Sequence, residues 1–297
     1  MSKFFTSSTK WALGSWSLFI AENLVLSENR TRIIQEIGDD NYHYVYGLCS
    51  TAAVGSIAYG YQYKIKNKGP MLWKAGQAVP ASGKLMSFLC LGLGMGLMSQ
   101  SAPKLQIPLE YISGSTNDSA PKKNVEKIEQ KVDEAVVPSS KWKVRCPFDF
   151  TDSKSKSLDG GSDLHGLDRV TRHPGLWSFG LTGMGLSYLT PSVPTRVWLF
   201  MPVLVALIGG EHTDSRHRRN MGGTLLKEMD EKTSNFPFLA MISGKQENGN
   251  VAASFGKLFD EIKGLNGLIA LGLAASIVAR KGAASGGRIS KLRAATR

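Results

Sequence analysis

"RHPGLWSFGLTGMGLSYLTPSVPT", residues 172–195, decides how this chain folds. From Pro174 to Thr195 it holds 22 residues without Asp, Glu, Lys, Arg or His. That is close to the ~20 residues a helix needs to cross a hydrocarbon core. A proline at the head of such a run suits the first helical turn, where its missing N–H costs nothing. The two prolines of "TPSVPTR", 190–196, then mark a tight turn into a second apolar run. The stretch therefore predicts a helix hairpin, Pro174–Leu189 and Val197–Gly210, with Pro202 kinking the second arm.

Working outward, Tyr44 to Tyr63 and Leu85 to Pro103 are also free of charge and histidine over 20 and 19 residues. Helices are predicted at Trp11–Leu26, at Tyr44–Tyr63 with tyrosines at headgroup level, and at Leu85–Met98. Gly92 and Gly96 give the third a G-x-x-x-G spacing that lets helix backbones approach. A sixth apolar segment, Gly264–Ala279, precedes a tail with Arg280, Lys281, Arg288, Lys291, Arg293 and Arg297. The expected fold class is all-α, a multi-pass transmembrane helical bundle of about five or six helices with a long polar loop. Four regions follow: membrane helices over 1–103, a polar and partly disordered loop over 104–163, a hairpin core over 164–245, and an apolar helix with its basic tail over 246–297. Within the loop, Val125, Ile128, Val132 and Val136 predict a short surface helix. The polar loop and tail explain a mean hydropathy of only −0.12.

The chain of 297 residues carries a formal net charge of +12 and a pI near 9.6. Anionic surfaces are its natural neighbours, and the charge-free runs favour anionic lipid over nucleic acid. Membrane lipid is one expected partner, and the basic tail suits anionic lipid or a protein. No nucleic-acid partner is expected. Cys49, Cys90 and Cys146 show no metal-type spacing and no disulfide framework. The N-terminus lacks an apolar core followed by a small-residue cleavage site, which leaves organellar targeting open. Positive charge does not orient the bundle: Lys64–Lys84 is lysine-rich, yet "RHRR", 216–219, falls on the opposite face under a five-span count.

A hairpin returns the chain to its starting face, so "RVTRHP" meets "GGEHTDSRHRR", 209–219. Arg172, His173, Glu211 and Asp214 are the catalytic candidates of the polar pocket this forms. The chain has five histidines, His43, His165, His173, His212 and His217. Of these, His173 and His212 are best placed to face a common cavity and hold haem iron. A plainer reading also fits: Thr171 or Asp168 caps the helix, while Arg169 and Arg172 snorkel toward headgroups.

The ordered set "LDRVTRHPGLW", hairpin, "GGEHTDSRHRR" and "LLKEMDEKTSNFPFLAMISGKQ" resembles the NnrU family of membrane proteins, which includes the plant and algal 15-cis-zeta-carotene isomerases. The likeness rests on R-x-T-R-H-P and on Thr233, Ser234, Pro237 and Phe238. It covers about residues 164–245 and, more loosely, 15–75. It implies an integral membrane protein, with a plastid membrane as one location, acting on a hydrophobic carotenoid-type polyene through b-type haem. The family's further histidines are replaced: Asn23, Leu186 and the Val205–Ala206 region stand in their places. Ligand duty would then fall on His173 and His212. Two other readings remain, a non-catalytic membrane scaffold or assembly factor and an S-adenosylmethionine-dependent membrane methyltransferase. The latter also uses R-H-P before a hairpin, but Glu211-His212 stands where it would hold paired glutamates.

Overall fold

The structure, a computed structural model, describes residues 5–74, 77–101, 109–112, 141–144 and 164–283. Each expected apolar segment is helical: α1 (Ser7–Glu28), α3 (Asp39–Tyr59), α4 (Ala81–Ser101), α6 (Pro174–Tyr188), α7 (Val193–Arg218) and α11 (Gly264–Gly282). Shorter helices join them: α2 (Arg30–Ile37), α5 (Leu167–Val170), α8 (Lys227–Lys232), α9 (Leu239–Ile242) and α10 (Val251–Glu261). Three of these, α4, α7 and α11, are long and apolar enough to cross a membrane. The span count expected from sequence was five or six. At 15 residues, α6 measures about 22 Å, short of a ~30 Å core.

One departure from an all-helical chain lies in the polar loop. β1 (Leu109–Ile112) pairs antiparallel with β2 (Lys141–Val144), Leu109 opposite Val144. "KWKV" alternates polar and apolar with period two, the strand signature. The surface helix expected around Val125–Val136 lies outside the described residues.

The bundle is built around α6, which packs between α4 and α7; α1 packs on α7, α3 on α1, and α11 on α4. Gly83 lies near Tyr188 while Gly94 lies against Ser178 and Thr182, so α4 and α6 run antiparallel. Small residues set that distance: a Cβ on Gly94 would stand 2.7 Å from the Thr182 nitrogen and 3.0 Å from the Ser178 oxygen. On the other face of α6, Gly180 and Gly183 meet the α7 backbone at Pro202 and Leu199. The expected Gly92/Gly96 pair is not the close contact. Gly96 has nothing within 4 Å of where its Cβ would be, and Gly92 meets only a leucine side chain of α11. α11 lies antiparallel to α4, with Gln100 bonded to Lys263 at one end and Gly282 beside Lys84 at the other.

Aromatic packing joins α1 to α7: Trp16 meets Trp198 at 5.8 Å between ring centroids. A buried polar pair joins α1 to α3, where Tyr46 donates to Asn23 Oδ1 at 2.7 Å. The outer faces of α3 and α11 stay apolar and uncovered; Leu48 and Leu265 are 73% and 72% exposed. Uncovered apolar surface on this scale fits lipid contact.

The helix continuity of α7 corrects the expected hairpin. It does not stop at Gly210 but runs through "EHTDSRHR" to Arg218. Ser192 caps its start by accepting from the Thr195 N–H, and Pro194 occupies the first turn.

Candidate functional site

Because α6 is short and α7 long, the last two turns of α7 overrun the head of α6. The gap beside them is filled by chain rather than solvent. Residues 170–172 pair with 234–238: Arg172 N–H donates to the Ser234 oxygen at 3.0 Å and Phe238 N–H to the Val170 oxygen at 2.8 Å. Thr171, fully buried, donates its hydroxyl to the Asn235 oxygen and accepts from the His173 N–H. Asn235 in turn accepts from Trp177 Nε1 at 3.1 Å and donates to the Leu207 oxygen at 3.0 Å. Gly210 makes room for it, since a Cβ there would collide with the Asn235 side chain.

Inside this frame three of the expected residues converge. Arg172 holds Asp214 Oδ2 through Nε at 2.9 Å and Nη2 at 2.7 Å. His173 Nε2 lies 2.8 Å from the other carboxylate oxygen, Oδ1. His173 and Asp214 are each only 2% exposed. The remaining nitrogen of Arg172 reaches the Thr233 carbonyl and hydroxyl at 3.0 and 3.1 Å and Asp230 at 3.2 Å. Arg172 and Arg169 are thus both held inside the protein, and neither snorkels as the plainer sequence reading had it. Nor does a side chain of Thr171 or Asp168 cap α6: His173 occupies the cap position without a side-chain bond to the helix.

The other two expected residues are not in the cluster. Glu211 is exposed and pairs with Arg218 at 3.1 Å. Through Arg218 it is tied only indirectly to Asp230, whose carboxyl is held below its usual range, chiefly by the Arg218 hydrogen bond. His212 turns away altogether. Two positions along a helix are about 200° apart, so His212 faces α1 while Asp214 faces α6. His212 Nε2 lies 2.6 Å from Ser27 Oγ and its Nδ1 lies 4.0 Å from Glu28, which Arg219 clamps at 2.6 Å. Glu211 and His212 therefore diverge, one toward Arg218 and the other toward α1.

Sequence reasoning missed a second clamp one turn upstream. Arg169, 4% exposed, binds Glu261 through Nε and Nη2 and Glu247 through Nη1 at 2.8 Å. Burial pushes the Glu261 carboxyl up, but Arg169 and the Gly166 N–H outweigh it and hold it low. Lys257 and Arg169 hold Glu247 low as well. Gln246, 1% exposed, donates to the Arg169 and Lys232 oxygens. These contacts bring α8, α9 and α10 over the heads of α5 and α6 as a cap that runs on past residue 245 to Glu261.

Among the described residues no group of three or more His, Cys, Asp or Glu side chains is arranged to hold a metal ion. A haem needs fewer protein ligands, and one observation bears on it: His173 Nδ1 is buried and has no hydrogen-bond partner. An imidazole with one nitrogen on a carboxylate and the other open is how a metal-ligating histidine is commonly held. If haem were bound, His173 would be the residue to hold it, since His212 faces α1 instead. The chain matches no family model, no curated protein and no solved structure.

Proposed function

We propose that this chain is an NnrU-like integral membrane protein that binds a hydrophobic, carotenoid-type polyene and isomerises it at His173. The observation that carries the reading is the open Nδ1 of a buried imidazole. Leaving a buried polar atom unsatisfied costs about 1–3 kcal/mol, and an ionisable cluster among membrane helices marks function by default. Asp214 fixes the ring by engaging Nε2, and Arg172 holds the Asp214 carboxylate in place. Nδ1 is then the atom left to hold a ligand or exchange a proton. If haem b is bound, His173 holds it, and it supplies an iron whose grip on a ligand depends on its oxidation state. The rest is the work of the protein: Trp177, Thr171 and Asn235 hold the ring's surroundings rigid, and the cap keeps bulk water from the pair.

The test is a reduced-minus-oxidised absorption spectrum of the purified full chain, paired with a polyene isomerisation assay. We expect His173→Ala to lose both signals and His212→Ala to keep both, with helicity by circular dichroism equal to that of the parent. Isomerisation at the parental rate by a folded His173→Ala protein removes His173 from the mechanism.

A second reading, a non-catalytic membrane scaffold or assembly factor, is favoured by a different observation. Arg169, Arg172, Arg218, Glu211 and Asp230 are all engaged in ion pairs within the chain. Charges so engaged brace a cap; they do not face a substrate. On this reading no haem or isomerisation is found, and deleting residues 115–160 abolishes recovery of partner proteins. Unchanged recovery would exclude that loop as the docking element.

A further inference from the structure

The two ends of the bundle are charged in different ways. All 24 acidic residues of the chain fall within three windows, 22–50, 110–168 and 211–261. The helix directions place the described parts of these windows at or toward one end. There lie the C-termini of α1 and α7, the N-termini of α3, α6 and α11, and the cap. The opposite end gathers the start of α1, the segment after α3, the start of α4, the α6–α7 turn and the end of α11. None of those segments contains Asp or Glu. Exposed there are Lys10, Lys66, Lys68, Lys74, Arg280 and Lys281, none in an ion pair among the described residues. The sequence beyond residue 283 adds four more cations and no acid.

A second observation at this end points to lipid. Lys64 lies 5.8 Å over the rings of both Trp11 and Tyr59. Arg196 lies 5.6 and 5.5 Å over Trp73 and Tyr188, with Nε bonded to the Ser187 oxygen. Tyr63 is 61% exposed beside them. A collar of Trp and Tyr with cations at its outer edge is how a protein sits at headgroup level. Unpaired surface cations draw anionic lipid strongly, each worth about a fivefold change in partitioning near such a surface.

We propose that this acid-free end binds the headgroups of an anionic glycerolipid leaflet, so that the His173 cluster and its cap stand at the opposite leaflet. The proposal rests on the membrane reading above but not on catalysis. Its consequence is an orientation relative to lipid: the basic end faces the leaflet richer in anionic headgroups.

The experiment reconstitutes the full chain in nanodiscs of phosphatidylcholine mixed with phosphatidylglycerol, then measures by mass spectrometry which lipid stays with the protein after detergent extraction. We expect phosphatidylglycerol to be enriched severalfold over its share of the bilayer. The enrichment should vanish in Lys66→Gln/Lys68→Gln/Lys74→Gln/Lys281→Gln and persist in Lys227→Gln/Lys245→Gln, which removes cations from the other end. Addition of inorganic phosphate should not displace the lipid. No enrichment in the parent, or equal loss in both variants, overturns the proposal. Alkaline carbonate extraction of native membranes reads the spanning separately: a released chain overturns the membrane reading, while the lipid comparison still decides this one.

Discussion

Two ends of one bundle show what a cation does when it has a carboxylate nearby and when it has none. At the capped end Arg172, Arg169 and Arg218 are each locked to acids, and the chain is folded tightly around them. At the other end lysines and arginines have no carboxylate partner among the described residues and lie against rings and solvent. The same residue type is therefore structural at one end and an attachment surface at the other. Net charge, +12 for the whole chain, reports only the second kind.

The comparison breaks most sharply at Asp214. In Asp214→Ala the buried guanidinium of Arg172 loses its main counter-ion and His173 its orienting partner. Removing one member of a buried ion pair typically costs about 3–5 kcal/mol. Unfolding of the purified chain should fall by that order, whereas Lys66→Gln at the open end should change stability by less than ~0.5 kcal/mol. Equal effects would mean that the two ends are not built differently.

Acid should come next, and it should act at the capped end. Glu247, Glu261 and Asp230 are all held below their ordinary values, 4.5 for the two glutamates and 3.8 for the aspartate. A carboxyl depressed in the folded state adds stability that is full above its unfolded pKa and is lost as pH falls through its folded one. Lowering pH below about 4 should therefore free α8–α10 before the helices separate. Hydrogen exchange over residues 227–261 would show it as loss of protection. The opposite end has no carboxylate among its described residues to titrate, and amides there should stay protected over the same range.

The finest comparison lies between two glycines of α4. Gly94→Ala should destabilise by roughly 1–3 kcal/mol, because the added methyl meets the backbone of α6. Gly96→Ala, with open space around it, should be neutral or slightly stabilising, since alanine favours the helix by up to about 1 kcal/mol. Thermal unfolding of both variants in one detergent would decide which glycine sets the packing distance.

Much of this architecture is legible in the residues. The hairpin follows from 22 uncharged positions bounded by His173 and Arg196, and hairpin arithmetic alone brings Arg172 and His173 beside Asp214. What sequence could not supply was angle. Ending the second arm at Gly210, ahead of "EHTDSRHR", put His212 and Asp214 together when helical phase separates them. The glycine spacing in "LGLGMGLM" failed for the same reason: it shows that close approach is possible but not which face is approached. The second clamp was hidden by separation along the chain, since Arg169 and Glu261 lie 92 positions apart. Arg169 and Gln246 lie within the stretches that carry the family resemblance, whereas their acidic partners Glu247 and Glu261 lie beyond them.

The brevity of α6 bears on how the chain assembles. A helix of 15 residues cannot by itself satisfy the thickness of a bilayer, and its glycine faces offer lipid little to hold. It gains its place only when α7 lies alongside and α4 is already present. The hairpin should therefore leave the insertion machinery as one unit and slot against an earlier helix. On that account α6 is a late passenger in biogenesis, and the polar cluster at its head closes only after the cap, synthesised last but one, has been made.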